Sequence, residues 1–599
     1  MENLKTLYKL LFEWRWKFFF SSILLIFGMF FRTLEPLVLQ VLVDTLLPLL
    51  KFSNNTNVET GPFTVFFIDF LPSLEKNYPS YVYLIAIALI YFGISSIKGS
   101  LVFSAKALNA SATEYSIKKL RDRIFIHIQK LPMSFFSNSK TGELTQRATG
   151  DIDTIRNFVS NQIVEIIRLS AVFLFSFFMI YSENKTFAFV SISLVPITAI
   201  ASFFFFKKEQ KIWRLHEDES DKLNNITQEN LSGIRVVQAF ANEEFEIGKF
   251  EKQNKAKLAI ALKHAQMHTI YWPFSDMVVN LQIVLSVLVS AWLTINHTLS
   301  LGQFMSFYAY IQMVAFPLRQ ISRLLSQMGM ALVAVERIDD IFNAKIENIE
   351  GKTIKDKLLG KIEFKDVSFK YSDEENFVLK NISFTINPSE TIALIGPTGS
   401  GKSTLIKLLL RFYEPTKGKI FIDDIDLTKI SKTSVREKIG VVLQKAFLFS
   451  DPIENNIAYA QANKTNIIET TNMAGLTNID SVFVNGIETV VGEKGVSLSG
   501  GQKQRVSLAR TLLSDPDILI LDDVTSAVDT TTEKEILKNL QKLAKERTTI
   551  NITHRLSSLS FADRIIILEN GKISDFGKPD ELKNNTYFQK LLSIQTELL

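Results

Sequence analysis

Six long apolar stretches, at residues 18–49, 81–105, 161–182, 186–206, 270–295 and 301–321, crowd into the first 330 residues of this 599-residue chain. A helix needs about 20 residues to cross the hydrocarbon layer of a bilayer, and each stretch is long enough. One such segment would also suit a buried helix of a large soluble protein. Six of them, in pairs joined by hinges as short as "SENK" and "NHTLS", predict a helical membrane domain. Charges interrupt several: Arg32, Glu35 and Asp44 in the first, Lys98 in the second, Asp276 in the fifth. Ionisable groups at membrane depth are costly and tend to face a cavity or a bundle interior, which makes Arg32, Glu35, Lys98 and Asp276 candidates for a translocation path. Near the ends of spans the same charges snorkel to the surface, so each has a purely structural reading as well.

Orientation follows from the loops. Between spans two and three lie Lys106, Lys118, Lys119, Arg121, Arg123, Lys130, Lys140, Arg147 and Arg156, whereas the connection between spans five and six carries no Lys or Arg. The positive-inside rule puts the long loops, and with them both termini, in the cytoplasm. Those segments, about 106–160 and 207–269, keep apolar residues at helical spacing and read as helices continuing out of the bilayer with a turn midway. The basic start "MENLKTLYKLLFEWRWKFFF" runs into apolar sequence too long for a signal-peptide core, and is expected to be retained. A net charge of only +5 gives no basic patch for nucleic acid, and the absence of cysteine excludes disulfides, thiol catalysis and cysteine metal sites.

From about residue 361 the pattern changes to short β-rich runs ("IEFKDVSF", "TIALIG", "IGVVL", "DILILDD") alternating with helical segments. This is α/β patterning. The expected organisation is a six-helix transmembrane domain at 1–330, a linker at 331–360 and an α/β P-loop ATPase domain at 361–599. Within the last, "TIALIGPTGSGKSTLIKLLL" is a strand, a glycine loop and a helix in the order a phosphate cradle requires, with Gly396, Gly401, Lys402 and Ser403 meeting the G-x-x-x-x-G-K-[ST] pattern. Inward-turned backbone N–H groups, among them those of Thr398, Gly399, Ser400 and Thr404, and the helix N-terminus would surround the phosphates of ATP. Lys402 would reach the terminal phosphates and Ser403 would bind Mg²⁺. A P-loop ATPase also needs a carboxylate at the metal, and "ILILDD" ends a buried strand in two: Asp522 for Mg²⁺, Asp523 to polarise the attacking water.

Between these motifs stands "LSGGQ", residues 498–502, and here the chain resembles the ATP-binding cassette (ABC) transporters. Further elements follow the family order: Tyr371 in "VSFKYS" for adenine stacking, Gln444 in "VVLQKAFLF" for the Q-loop, "TVVGEKG" for the X-loop of exporters, Asp529 for the D-loop and His554 in "ITHRLSS" for the switch histidine. The membrane half is similar to the six-helix exporter fold, so the likeness runs through nearly the whole chain. It implies a half-transporter, an ATP hydrolase coupled to transport, that dimerises so that Ser499, Gly501 and Gln502 of one chain close over ATP held by the other. Gln444 and His554 would serve catalysis, Gln444 also the metal. Coupling helices are expected near 114–125 and 213–222.

One position departs from the family: most members carry Glu where this chain has Asp523. Its carboxylate reaches about 1.5 Å less, a distance to which general-base geometry is sensitive. Either the chain is the degenerate half of a heterodimer, or it forms a homodimer in which Asp523 still orients water. The function implied is export or flipping of amphipathic, lipidic or drug-like compounds across a bacterial inner membrane, with membrane lipid around the spans. Peptide export, siderophore import, or an ATP-gated channel or regulatory subunit on the same scaffold remain open.

Overall fold

The computed structural model describes residues 12–49, 80–139, 141–371, 375–460 and 466–596, apart from 478, 480–482, 484, 493–494 and 496–497. Residues 493 and 494 of the X-loop thus lie outside the described residues. Contacts divide the chain into one unit of Met1–Lys130 with Ser139–Lys345 and another of Leu131–Asn138 with Ile346–Leu599.

The first unit is built on α1 (Arg15–Leu49), α2 (Ser80–Gln129), α3 (Ile163–Glu183), α4 (Val195–Ser232), α5 (Glu243–Ile295) and α6 (Leu301–Asn343). With no water in hydrocarbon to satisfy backbone groups, helices are the natural solution for such apolar sequence. Five described helical stretches are long and apolar enough to cross a membrane. The sixth expected span opens α6, where Gln303, Tyr308, Tyr310 and Gln312 dilute the apolar residues. At 1.5 Å per residue, the 50 residues of α2 and 53 of α5 reach about 75–80 Å, far beyond a bilayer core of about 30 Å.

Polar side chains inside this unit repair backbone. Asp44 takes Ser300 Oγ (2.7 Å) and Gly302 N (2.8 Å), capping the N-terminus of α6 where its partial positive charge lies. A Cβ at Gly302 would come within 2.4 Å of Gln40 O, so glycine permits this close approach. The chain breaks between the short helix Lys185–Ser191 and α4, and buried Gln282 on α5 bridges the break: its Oε1 accepts from Leu194 N (2.8 Å) and its Nε2 donates to Val190 O (2.7 Å). Lys98 and Glu35, separately suspected of touching cargo, form an ion pair with each other.

The expected coupling positions are corrected. Residues 114–125 and 213–222 lie inside the uninterrupted helices α2 and α4. The chain turns further on, at the short helices Met133–Asn138 and Ile234–Ala239. Leu131–Asn138 belongs with the second unit, where Ser137 Oγ lies 2.6 Å from the Tyr413 hydroxyl.

In the second unit, β1 (Ile362–Phe369), β2 (Leu379–Ile386), β4 (Lys417–Ile422) and β5 (Ile425–Asp426) form an antiparallel sheet in the order β2-β1-β4-β5. The larger sheet runs β10-β9-β3-β8-β7-β6, from β3 (Thr391–Ile395), β6 (Ile439–Val442), β7 (Ile518–Asp522), β8 (Thr548–Ile552), β9 (Arg564–Glu569) and β10 (Lys572–Gly577). All its neighbours pair in parallel except β10. Strands β3, β7 and β8 are buried along their whole length, as a parallel sheet covered on both faces requires. Of the segment expected as linker, residues 331–343 continue α6, and from Glu347 onward the chain is fastened to this unit. Glu347 binds Arg436 at 2.7 and 2.8 Å, Lys352 N donates to Lys429 O, and Asp423 accepts from the backbone N–H groups of Leu359, Gly360 and Lys361.

Candidate nucleotide site

Parallel strands deliver their carboxyl ends to one edge, where ligands of open α/β sheets bind. Leu394 of β3 pairs with Ile552 of β8, which pairs in turn with Asp522 of β7, and Val442 of β6 pairs with Leu521. The residues that follow these ends are the glycine loop, Asp523, His554 and Gln444. Topology alone therefore assembles most of the expected site.

The loop from Gly396 to Gly401 leads into α7 (Lys402–Leu409). Gly396 has φ +149°, and a Cβ there would meet Leu568 O at 2.0 Å; Gly401, the N-cap, has φ +108° and would drive a Cβ to 2.6 Å from Leu379. Only glycine fits at either place. Lys402 is buried and donates to Gly396 O (2.7 Å) and Pro397 O (2.9 Å). Burial lowers its ammonium below the ordinary lysine value, with Asp522 pulling the other way. Ser400 Oγ is buried without a hydrogen-bond partner among the described residues. A phosphate group meets both demands, accepting from Ser400 and neutralising Lys402.

Asp522 is buried at the end of β7; burial and then Asp523 raise its carboxyl, and Lys402 offsets this in part. Asp523 adopts φ +50°, in the left-handed region, and donates its N–H to Ile552 O at 2.9 Å. That conformation turns the chain away from the sheet directly after Asp522. Burial, then Lys402, hold the His554 imidazole below its ordinary value, and Asp523 opposes them, so Lys402, Asp523 and His554 share one electrostatic neighbourhood. Ser403 and Gln444 are exposed at the same edge. Tyr371 is joined to the loop's helix through its hydroxyl, 3.2 Å from Thr404 Oγ1, and stands edge-on to Phe369 and Tyr413.

The signature residues open a further helix. Ser499 caps α8 (Gly500–Leu513) in a reciprocal box: its Oγ accepts from Gln502 N (3.2 Å) and Gln502 Oε1 accepts from Ser499 N (2.8 Å). Gly501 packs so closely that a Cβ would sit 2.5 Å from Ala527 O.

Two supporting residues escaped the sequence reading. Buried Gln504 donates to Ser526 Oγ (3.0 Å) and accepts from Ala527 N (3.3 Å), tying α8 to the turn after Asp523. Buried Glu533, in the first turn of α9 (Thr530–Ala544), takes Arg555 Nη1 (2.5 Å), Ser557 Oγ (2.8 Å) and Thr525 Oγ1 (3.2 Å), and so fixes the segment that carries His554.

Comparison with known proteins bears on the whole chain. Residues 18–318 match the family profile "ABC transporter transmembrane region", and 379–526 match "ABC transporter". The chain belongs to the ABC transporters. It is 34% identical over 514 residues to the uncharacterized ABC transporter ATP-binding protein YknU of Bacillus subtilis (strain 168), covering 85% of this chain and 88% of that protein. It is 33% identical over 481 residues to a candidate multidrug export ATP-binding/permease protein of the same organism, with coverages of 80% and 83%. With the ATP-dependent lipid A-core flippase of Escherichia coli (strain K12) it shares 30% over 502 residues, 83% of this chain and 86% of that one. A solved bacterial Atm1-family ABC exporter with ATP bound superposes with a TM-score of 0.80 over 97% of this chain and 98% of that one, at 23% identity. This ABC transporter chain is therefore an integral membrane protein of exporter fold whose ATPase unit binds and hydrolyses ATP in support of transport.

Proposed function

We propose that this chain is one half of a dimeric exporter or flippase that moves amphipathic compounds, lipidic or drug-like, out of a bacterial inner membrane, its ATPase unit on the cytoplasmic side. The observation that carries this reading is a pair of recesses in the membrane unit. One, of about 800 Å³, is lined mainly by apolar side chains of α1, α2 and α6, including Leu39, Leu84, Tyr91 and Phe92, together with Glu35. The other, of about 380 Å³, is lined by Arg32, Arg168, Gln312 and Phe316, and the two share Ala309 and Met313. An apolar recess beside one that holds Arg32 and the Arg168–Glu165 ion pair suits a molecule with an apolar body and a polar or anionic head. The names of the flippase and multidrug relatives point the same way.

In this reading Lys402, Ser400 and the loop amides hold the phosphates, Ser403, Asp522 and Gln444 hold Mg²⁺, Asp523 orients water and His554 supports it. Mg²⁺ would neutralise the crowded carboxylates of Asp522 and Asp523 and polarise the terminal phosphate. Ser499, Gly501 and Gln502 of a second copy complete the site, and Met133–Asn138 carries the resulting motion. The shared electrostatic neighbourhood of Asp523, His554 and Lys402 supports a working site on this chain, which a homodimer requires.

Reconstitution tests the cargo. In proteoliposomes with outward-facing ATPase units, a fluorescent phospholipid or amphipathic dye should be moved across the bilayer against its gradient, only with Mg-ATP, and less so in Arg32→Ala. Movement that ATP permits but that never exceeds equilibrium would mean a channel. ATPase stimulation by peptides or ferric siderophores but not by amphiphiles would replace this cargo class.

A further inference from the structure

Away from the nucleotide site, Glu209 on α4 and His264 and His268 on α5 bring their ligating atoms within 4.8 Å of one another. His268 Nε2 lies 3.3 Å from Glu209 Oε1 and 3.1 Å from His264 Nε2, and His264 Nε2 lies 3.9 Å from the same carboxylate oxygen. Two histidines four apart share one face of a helix, and the neighbouring helix supplies the acid. Ligands held about 2.0–2.1 Å from a tetrahedral zinc ion stand about 3.3 Å apart, so the observed spacings bracket that value before any ion enters.

The surroundings fit an ion better than a structural ion pair. Glu209 is 8% exposed and pairs with no lysine or arginine among the described residues. Phe205 stands edge-on to His268, and Trp213 lies against both His264 and His216, which limits access of water. His216, two turns along α4 from Glu209, has a buried Nδ1 without a hydrogen-bond partner among the described residues. Hard cations such as Mg²⁺ and Ca²⁺ prefer oxygen ligands, whereas two imidazoles and one carboxylate are a zinc-class set.

We propose that Glu209, His264 and His268 bind a divalent transition-metal ion of the zinc class, which ties α4 to α5 where both leave the apolar stretches 186–206 and 270–295. One hydrogen bond competes with the ion. The Trp272 indole can only donate, and at 2.9 Å from His268 Nδ1 it leaves the ring proton on Nε2. Coordination through Nε2 moves that proton to Nδ1 by exchange with water and breaks the indole bond.

The test uses untagged, chelator-washed full-length protein in nanodiscs without nucleotide, titrated with Zn²⁺ against a competing indicator. The expected result is one ion per chain, with affinity falling at least about 100-fold in the His264→Ala/His268→Ala double variant and about 10-fold or more in Glu209→Gln. Trp272→Phe keeps the ligands and removes the competitor, and should bind Zn²⁺ at least as tightly as the unsubstituted chain. No binding by the folded parent, unchanged affinity in the double variant, or weakened binding in Trp272→Phe would each overturn the site.

Discussion

The two units of this chain solve opposite solvent problems. The ATPase unit hides its apolar side chains in strands buried from end to end and spends its polar atoms on one edge of a sheet. The membrane unit turns large apolar residues outward, Phe103 at 75% and Ile270 at 74% exposure, and keeps polar residues such as Gln40, Gln282 and Ser306 inside. In water the polar groups that stand out are where chemistry happens; in lipid buried ones such as Asp44 and Gln282 satisfy backbone. Asp44 and Gln282 repair helix ends, whereas Asp522 and Lys402 stand at one sheet edge with burial working against both charges.

Four substitutions can break or sharpen that contrast. The largest effect is expected for Lys402→Ala, which should lower ATP turnover by about 100-fold or more while hardly moving the melting temperature. A large stability loss with little change in turnover would make the loop lysine structural. Glu533→Ala is next: it strips Arg555, Ser557 and Thr525 of a shared acceptor and should cost about 2–3 kcal/mol, discounted because Arg555 is one-third exposed. Turnover should fall mainly through kcat, as loosening of the His554 segment requires; a change confined to KM would contradict a positioning role.

In the membrane unit, Gln282→Leu keeps the volume but takes the acceptor from Leu194 N and one of several donors from Val190 O, and should destabilise by about 1–2 kcal/mol with transport per folded molecule retained. Transport lost at unchanged stability would put Gln282 on the cargo path and blur the distinction between the units. The smallest effect belongs to the junction. Burial works against the Glu347 carboxylate, but Arg436 and Lys432 outweigh it and hold it below its ordinary value. A depressed carboxylate stabilises above its unfolded pKa of about 4.3, and that contribution vanishes as pH falls through the lower folded value. Glu347→Gln should therefore cost about 0.5–1 kcal/mol at pH 7 and progressively less below about pH 4, measured by melting curves across pH. A constant difference at all pH values would mean that shape, not charge, matters there.

What the sequence disclosed follows the range of each interaction. The phosphate loop and the Asp522–Asp523 pair were legible because strand, turn and helix are contiguous, and parallel pairing then carried them to one edge. Asp44 was not legible as a cap, since its partner Ser300 is 256 residues away. Gln504 and Glu533 carry no local signature; each acts by spanning separate segments. The coupling positions were misplaced because charge and helical periodicity continue unbroken through 114–125 and 213–222. The better signals were Pro132, which follows α2, and Gly233, which ends α4 with its N–H on Glu229 O.

The account rests on Asp523 working in place of the more usual glutamate. The direct test is steady-state Mg-ATPase activity of this chain purified without any partner in lipid nanodiscs, beside Asp523→Asn and Asp523→Glu. The account predicts measurable turnover that drops by about 100-fold or more in Asp523→Asn. Negligible turnover in a folded, ATP-binding sample, restored by Asp523→Glu, would contradict it and assign the chain to a heterodimer whose partner supplies the active carboxylate.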